Sequence, residues 1–266
     1  MQDMARHLRQ HGFSLTETLF AVGTLAVGMM FIAGTFLTGV YFATVSTERT
    51  IGTVVAEEAF AKMRLYGLDP NHPGLTASGF TPYEQLVPIP APEFLYPSTP
   101  ETGRQYSWAA LCRRISANSP LVQCTVFVSR MTGMNSKYWV RQTGGAWPPL
   151  APSDLPRPVR IMVLPDAASL TMPEVSIKDA VSAPTDMVDE LTFVNDGSVL
   201  VDDKTGQIYQ VLERYANRPD RLKLNRLWQG TVPDAAGAGW VVPPAVSGGR
   251  NPVVGVYQKV LRFPGG

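Results

Sequence analysis

From Thr18 to Thr47 the chain has no charged side chain, a run of 30 residues rich in Leu, Val, Ala, Phe and Met. About 20 such residues cross a bilayer as a helix, so the stretch predicts a membrane-length helix through which everything downstream is anchored. No proline interrupts the helical pattern from Phe13 to Leu65, which at about 1.5 Å per residue gives a helix of roughly 80 Å. Gly23, Gly28, Gly34, Gly39 and Gly52 each weaken a helix in water by about 1 kcal/mol relative to Ala, yet small residues are tolerated where helices meet in lipid. They do not keep a four-residue spacing, and no dimerisation motif is read from them.

The residues ahead of this run hold Arg6 and Arg9 against Asp3, a small positive excess that favours the cytoplasmic side. A secretory signal has an apolar core of about 7 to 15 residues closed by a small-x-small cleavage site. The core here is longer, and no A-x-A site follows it. Glu17 is the odd residue, because a carboxylate inside a membrane segment costs on the order of 3 kcal/mol. It calls for a partner. Were the chain cut after Gly12, the new α-amino group of Phe13 would lie one helical turn away, and the amine of a neighbouring subunit would serve equally.

Gly12, then Phe13, then Glu17 as the fifth residue after the cut, then an unbroken apolar helix, resemble the N-terminus of type IV prepilins and type II secretion pseudopilins. The resemblance covers roughly residues 7 to 65; Thr16 departs from the apolar residue usual there. It implies cleavage between Gly12 and Phe13 by a prepilin peptidase, N-methylation of Phe13, and Glu17 as the carboxylate that governs assembly. It implies a pilin-like α+β fold, a long N-terminal helix whose first half spans the membrane, packed on an antiparallel β-sheet head. The implied location is the inner membrane, single-pass, with the head in the periplasm or outside the cell. The implied partners are other pilin or pseudopilin subunits, the prepilin peptidase and the assembly platform. Without the resemblance, the same residues describe a single-span anchor carrying a binding module for adhesion or DNA uptake, or an enzyme.

Domain organisation follows as a leader over 1–12, an assembly helix over 13–66 and a β-rich head over 67–266. The whole chain is formally +1 and the leader contributes +1, leaving the remainder neutral. A broad electrostatic grip on nucleic acid is not indicated, although Arg130, Lys137 and Arg141 make a local basic patch near Tyr138, Trp139 and Trp147. Of three histidines, His7 and His11 lie in the leader and only His72, in a Pro/Gly loop, remains. There is no G-x-S-x-G, H-E-x-x-H or P-loop. The chain is therefore read as no enzyme, with no cofactor and no metal. Asp196, Asp202 and Asp203 cluster near turns but lack the D-x-D-x-D-G spacing of a calcium loop.

After Ser46 the helix becomes amphipathic, with Ile51, Val54, Val55, Ala59, Met63, Leu65 and Tyr66 on one broad face at 100° per residue. Glu58 and Lys62 form an i, i+4 pair on it, while Arg49, Glu57 and Arg64 point away. Gly67 and Asp69-Pro70 end the helix, and the Pro-dense stretch to Arg104 reads as an irregular connection lying on the surface or wrapping the helix. Tyr106 to Arg130 reads as a hairpin turning at Ala117-Asn118-Ser119, in which facing residues sum to 236. Trp108 then meets Val128, Ala110 meets Val126 and Cys112 meets Cys124, all on one face. A Cys112–Cys124 disulfide is expected in an oxidising compartment, where closing such a loop adds about 3 kcal/mol before strain; the alternative is two reduced core cysteines. Beyond the Gly144–Pro158 break, strands are expected at Val159–Leu164, Glu190–Val194, Ser198–Val201, Gln207–Tyr215, Leu222–Leu227 and Val253–Phe263, the central ones forming a meander.

Overall fold

The computed structural model describes residues 14–97, 105–116, 119–131, 133, 135–142, 147–166, 169, 171–179, 188–230 and 235–263. Gly12 and Phe13 lie outside these residues, as do Ala117 and Asn118 of the expected hairpin turn. The chain divides after Glu48 into two compact units. Helix α1, Leu15–Tyr66, is 52 residues long, and its portion up to Glu48 is what the first unit contains from Leu15 onward. This helix is long and apolar enough to cross a membrane. Phe20 is 78% exposed and Met30 77%, so these side chains fill no core of their own unit. The threonines are made compatible with an apolar setting by donating their hydroxyls back along the helix. Thr24 Oγ1 reaches Phe20 O at 3.0 Å, Thr35 reaches Phe31 O at 3.1 Å and Thr44 reaches Val40 O at 2.9 Å, so these three hydroxyls need no water.

In the second unit the last turns of α1 bury Gly52, Val55, Ala56, Ala59, Phe60 and Met63, an i, i+3, i+4 stripe. The stripe differs from the expected face. Val54, Leu65 and Tyr66 are exposed, Leu65 by 81%. Small residues set the contact: a Cβ on Gly52 would stand 2.9 Å from the Tyr257 hydroxyl, so the helix packs on its Gly/Ala side and turns Leu65 outward. The Glu58–Lys62 pair forms at 3.0 Å, and Lys62 also reaches Glu93 at 3.0 Å. Glu57, expected to point away, accepts from Lys259 at 2.6 Å. Gly67 ends the helix at φ 75, its N–H reaching Met63 O at 3.1 Å, a left-handed cap that a side chain would strain.

The connection after α1 contains β1 (Thr81–Pro82), α2 (Tyr83–Leu86), a 3-10 turn (Ala91–Phe94) and β2 (Leu95–Tyr96). It does more than lie on the surface, since Leu68, Leu75, Tyr83, Leu86 and Phe94 join the core beneath the helix. Both short strands pair with β3 (Tyr106–Arg114), which pairs with β4 (Leu121–Arg130), which pairs with β13 (Val253–Arg262). The β3–β4 register is the expected one: Trp108 faces Val128, Ala110 faces Val126 and Cys112 faces Cys124. All six residues sit in the core cluster shared with α1.

Between β4 and β13 the chain builds two further structures. One is a ribbon of β5 (Tyr138–Arg141) and β6 (Leu150–Ser153), the latter inside the stretch read as a break. The other is a closed antiparallel barrel of six strands: β7 (Val159–Leu164), β8 (Glu174–Lys178), β9 (Val199–Asp202), β10 (Ile208–Arg214), β11 (Arg221–Leu224) and β12 (Gly237–Val241). The expected meander survives only as β9–β10–β11. Glu190–Phe193 is a 3-10 turn rather than a strand, capped by Asp189 accepting from Leu191 N. Alternate residues Val159, Ile161, Val163, Tyr209, Val211, Leu222 and Leu224 fill the barrel. A second set, Leu111 and Phe127 from the sheet with Val201 and Trp240 from the barrel, joins the two. The architecture is thus α+β, one long apolar N-terminal helix with a β-rich antiparallel remainder.

Candidate functional site

Of the three residues implied in processing and assembly, Glu17 alone is described. It lies in the first turn of α1, exposed, with an acid at the favoured end of the helix dipole. Ser14 caps this helix: its backbone oxygen and its Oγ accept from Glu17 N at 3.0 and 3.3 Å. Ser14-x-x-Glu17 therefore also has the capping-box pattern, a local role for these two residues that the membrane reading of Glu17 passed over.

Cys112 and Cys124 are buried at 0% exposure in the centre of the hairpin. Met131 N bonds Gln105 O and Ile115 N bonds Leu121 O, so the hydrogen-bonded pairs of β3 and β4 are the odd-numbered ones. Cys112 and Cys124 form the other kind of pair, in which side chains approach more closely, with about 4.5 Å between Cα atoms. The structure holds them as two free thiols with Sγ atoms 3.6 Å apart, not as the expected bridge, which needs a sulfur separation near 2.05 Å. Burial pushes the Cys112 thiol well up, with its hydrogen bond and proximity to Cys124 adding to the effect. Such a thiol is no nucleophile at neutral pH. Burial likewise raises the neighbouring Tyr83 phenol, whose hydroxyl donates to Gly67 O at 2.9 Å and ties the helix end to the sheet.

The three aspartates are spent on turns and contacts. Asp196 accepts from Arg214 N at 2.7 Å. Asp202 accepts from Thr205 N at 2.6 Å and Thr205 Oγ1 at 2.5 Å, while its other oxygen is buried without a partner. Burial raises the Asp202 carboxyl above the usual aspartate range, and the Thr205 hydrogen bonds partly offset this. Asp203 accepts from Phe80 N at 2.9 Å, Trp240 Nε1 at 2.7 Å and Arg160 Nη2 at 2.8 Å. Among the described residues no group of three His, Cys, Asp or Glu is placed to hold a metal. His72 stays in its loop, accepting from Gly74 N at 3.1 Å.

The basic patch read from the sequence is dispersed. Lys137 pairs with Asp154 at 2.5 Å, whereas Arg141 is 8% exposed and bonds Glu190, itself 2% exposed, at 2.5 Å. Tyr138 is fully buried and offers no open ring. What the sequence did not reveal is a cleft of about 620 Å³ between the β1 edge of the sheet, the β5–β6 ribbon and the barrel wall, lined by Arg141, Arg157 and Arg160 with Glu84 and Asp203. Arg157 bonds Glu84 at 2.5 Å and lies 5.3 Å over the Phe94 ring. Arg160 and Arg141 lie 4.9 and 5.2 Å from the Trp147 ring. Three arginines within twenty residues of a Pro/Trp segment were the only sequence signal for it.

No protein-family model matches the chain, and neither a curated protein nor a solved structure does.

Proposed function

We propose that the protein is a structural subunit, a minor pilin or pseudopilin, processed between Gly12 and Phe13 and assembled helix-inward into a type IV pilus or type II secretion pseudopilus. In this reading the first unit is a single-pass anchor in the inner membrane, and the second unit lies in the periplasm or outside the cell. The observation that carries it is Glu17 in the first turn of a 52-residue helix whose apolar first part has no buried residue, with Gly12-Phe13 ahead of it in the sequence. A pilin-like plan is further supported by the last turns of α1 packing on an antiparallel sheet. Partners are other subunits, the prepilin peptidase and the assembly platform, and any chemistry belongs to the peptidase. In an oxidising envelope, Cys112 and Cys124 close to a bridge within the hairpin.

Intact mass and N-terminal sequencing of the protein from native membranes test the reading. A start at N-methylated Phe13 is expected; a retained Met1 in cells that contain the peptidase overturns it. Glu17→Ala should insert into the membrane as the parent does yet fail to enter filaments, because the buried partner of an N-terminal amine is gone. Filament incorporation at the parent level removes the role assigned to Glu17.

A further inference from the structure

The cleft beside the ribbon holds more guanidinium than its own fold uses. Its walls carry three arginines and two carboxylates. Arg141 is consumed internally, giving Nε to Arg160 O, Nη1 to Pro148 O and Nη2 to Glu190. Arg157 and Arg160 are not. Among the described residues the Arg157 side chain makes one hydrogen bond, from Nη1 to Glu84, and the Arg160 side chain makes one, from Nη2 to Asp203. Each guanidinium is held by that bond and by an aromatic ring, Arg157 5.3 Å over Phe94 and Arg160 4.9 Å over Trp147. Arg160 Nε is buried with no partner at all. A buried donor left unmade is costly and rare in a network that serves packing alone.

The acids of the cleft do not cancel this capacity. Asp203 already accepts from three donors, and Glu84 is engaged by Arg157. Planar, pre-oriented guanidinium edges match the two oxygens of a carboxylate or phosphate, and a volume of about 620 Å³ falls in the range of small-molecule pockets. The side chains of Gln85 and Gln142 at the rim supply neutral donors and acceptors for the rest of such a molecule. We infer that this cleft binds a small molecule bearing a carboxylate or phosphate group, with Arg157 and Arg160 as its anion-binding residues. The inference is independent of N-terminal processing.

The test uses the full chain in uncharged detergent micelles, titrated separately with inorganic phosphate and with glucuronate against sodium chloride of equal ionic strength, read by tryptophan fluorescence and calorimetry. Saturable binding of at least one oxyanion beyond the chloride control is expected, weakened roughly tenfold in Arg157→Gln. Binding of phosphate alone or glucuronate alone identifies the source of the anion. Should Arg157→Gln lose its parental circular dichroism, Arg160→Lys keeps a charge beside Asp203 while removing the planar fork, and the same weakening is expected there. Absence of saturation by both probes, or parental affinity in a folded variant, overturns the proposal.

Discussion

At the scale of single residues, Asp202 couples the barrel to pH. Its carboxyl is fully buried and raised above the aspartate range chiefly by that burial. A folded-state value above the unfolded one means that folding takes up a proton. Its contribution is complete below the unfolded value and lost as pH rises through the folded one. Asp202→Asn lacks this titration, so the parent should gain melting temperature relative to the variant as pH falls from neutral into the acid range; a gap independent of pH refutes it. The cysteines give a second residue-scale prediction. From an oxidising compartment the chain should resist alkylation at Cys112 and Cys124 after unfolding without reductant, and take two labels once reduced. Two labels without reductant would show the thiols to be unbridged. This pair was legible beforehand because apolar alternation and cysteine position demanded one register. The arginine–carboxylate contacts of the cleft were not, since Arg160 and Asp203 are 43 residues apart and meet only through the barrel.

At the scale of elements, α1 shows what hydrophobic periodicity conveys. Its extent was readable from the absence of proline, its membrane-length part from the absence of charge, and its end from Gly67. Its buried face was misread because apolarity alone cannot tell Leu65 from Phe60, whereas the close approach of the sheet at Gly52 can. Phe60 is 2% exposed and Leu65 81%. Phe60→Ala should cost roughly 3–5 kcal/mol of stability in the second unit, the usual penalty for emptying a core site. Leu65→Ala should change it by less than about 0.5 kcal/mol. Denaturant titration of the two variants checks this, and equal effects would show Leu65 to be packed as Phe60 is. Similarly, β8 was missed although Val175 and Ile177 alternate with Glu174, Ser176 and Lys178, a readable pattern in a stretch too short to stand out. β12 gave less warning, because Gly237-Ala238-Gly239 carries little apolar surface.

At the scale of the whole molecule, the decisive feature is where the barrel enters the chain. β13 pairs with β4 over nine residue pairs, yet the ribbon and barrel lie between them in sequence. Barrel closure requires β9 to pair with both β10 and β12, a long-range condition that no local pattern encodes, and for this reason a meander was the furthest a sequence reading could reach. The sheet cannot gain its β13 edge until the chain has returned from the barrel, and the two share a core at Leu111, Phe127, Val201 and Trp240. Sheet and barrel should therefore unfold together. In a urea titration of reduced protein, labelling of Cys112 and Cys124 reports the sheet, and fluorescence of Trp228, buried in the barrel cluster, reports the barrel once Trp108, Trp139, Trp147 and Trp240 are replaced by phenylalanine. The two midpoints should coincide. Phe127→Ala should lower both by an equal amount, about 3–5 kcal/mol in stability, although it changes no residue of the barrel. If the thiols become reactive at a lower urea concentration than the tryptophan signal moves, the shared core does not couple them. The barrel would then be an autonomous module carried on a separately stable sheet.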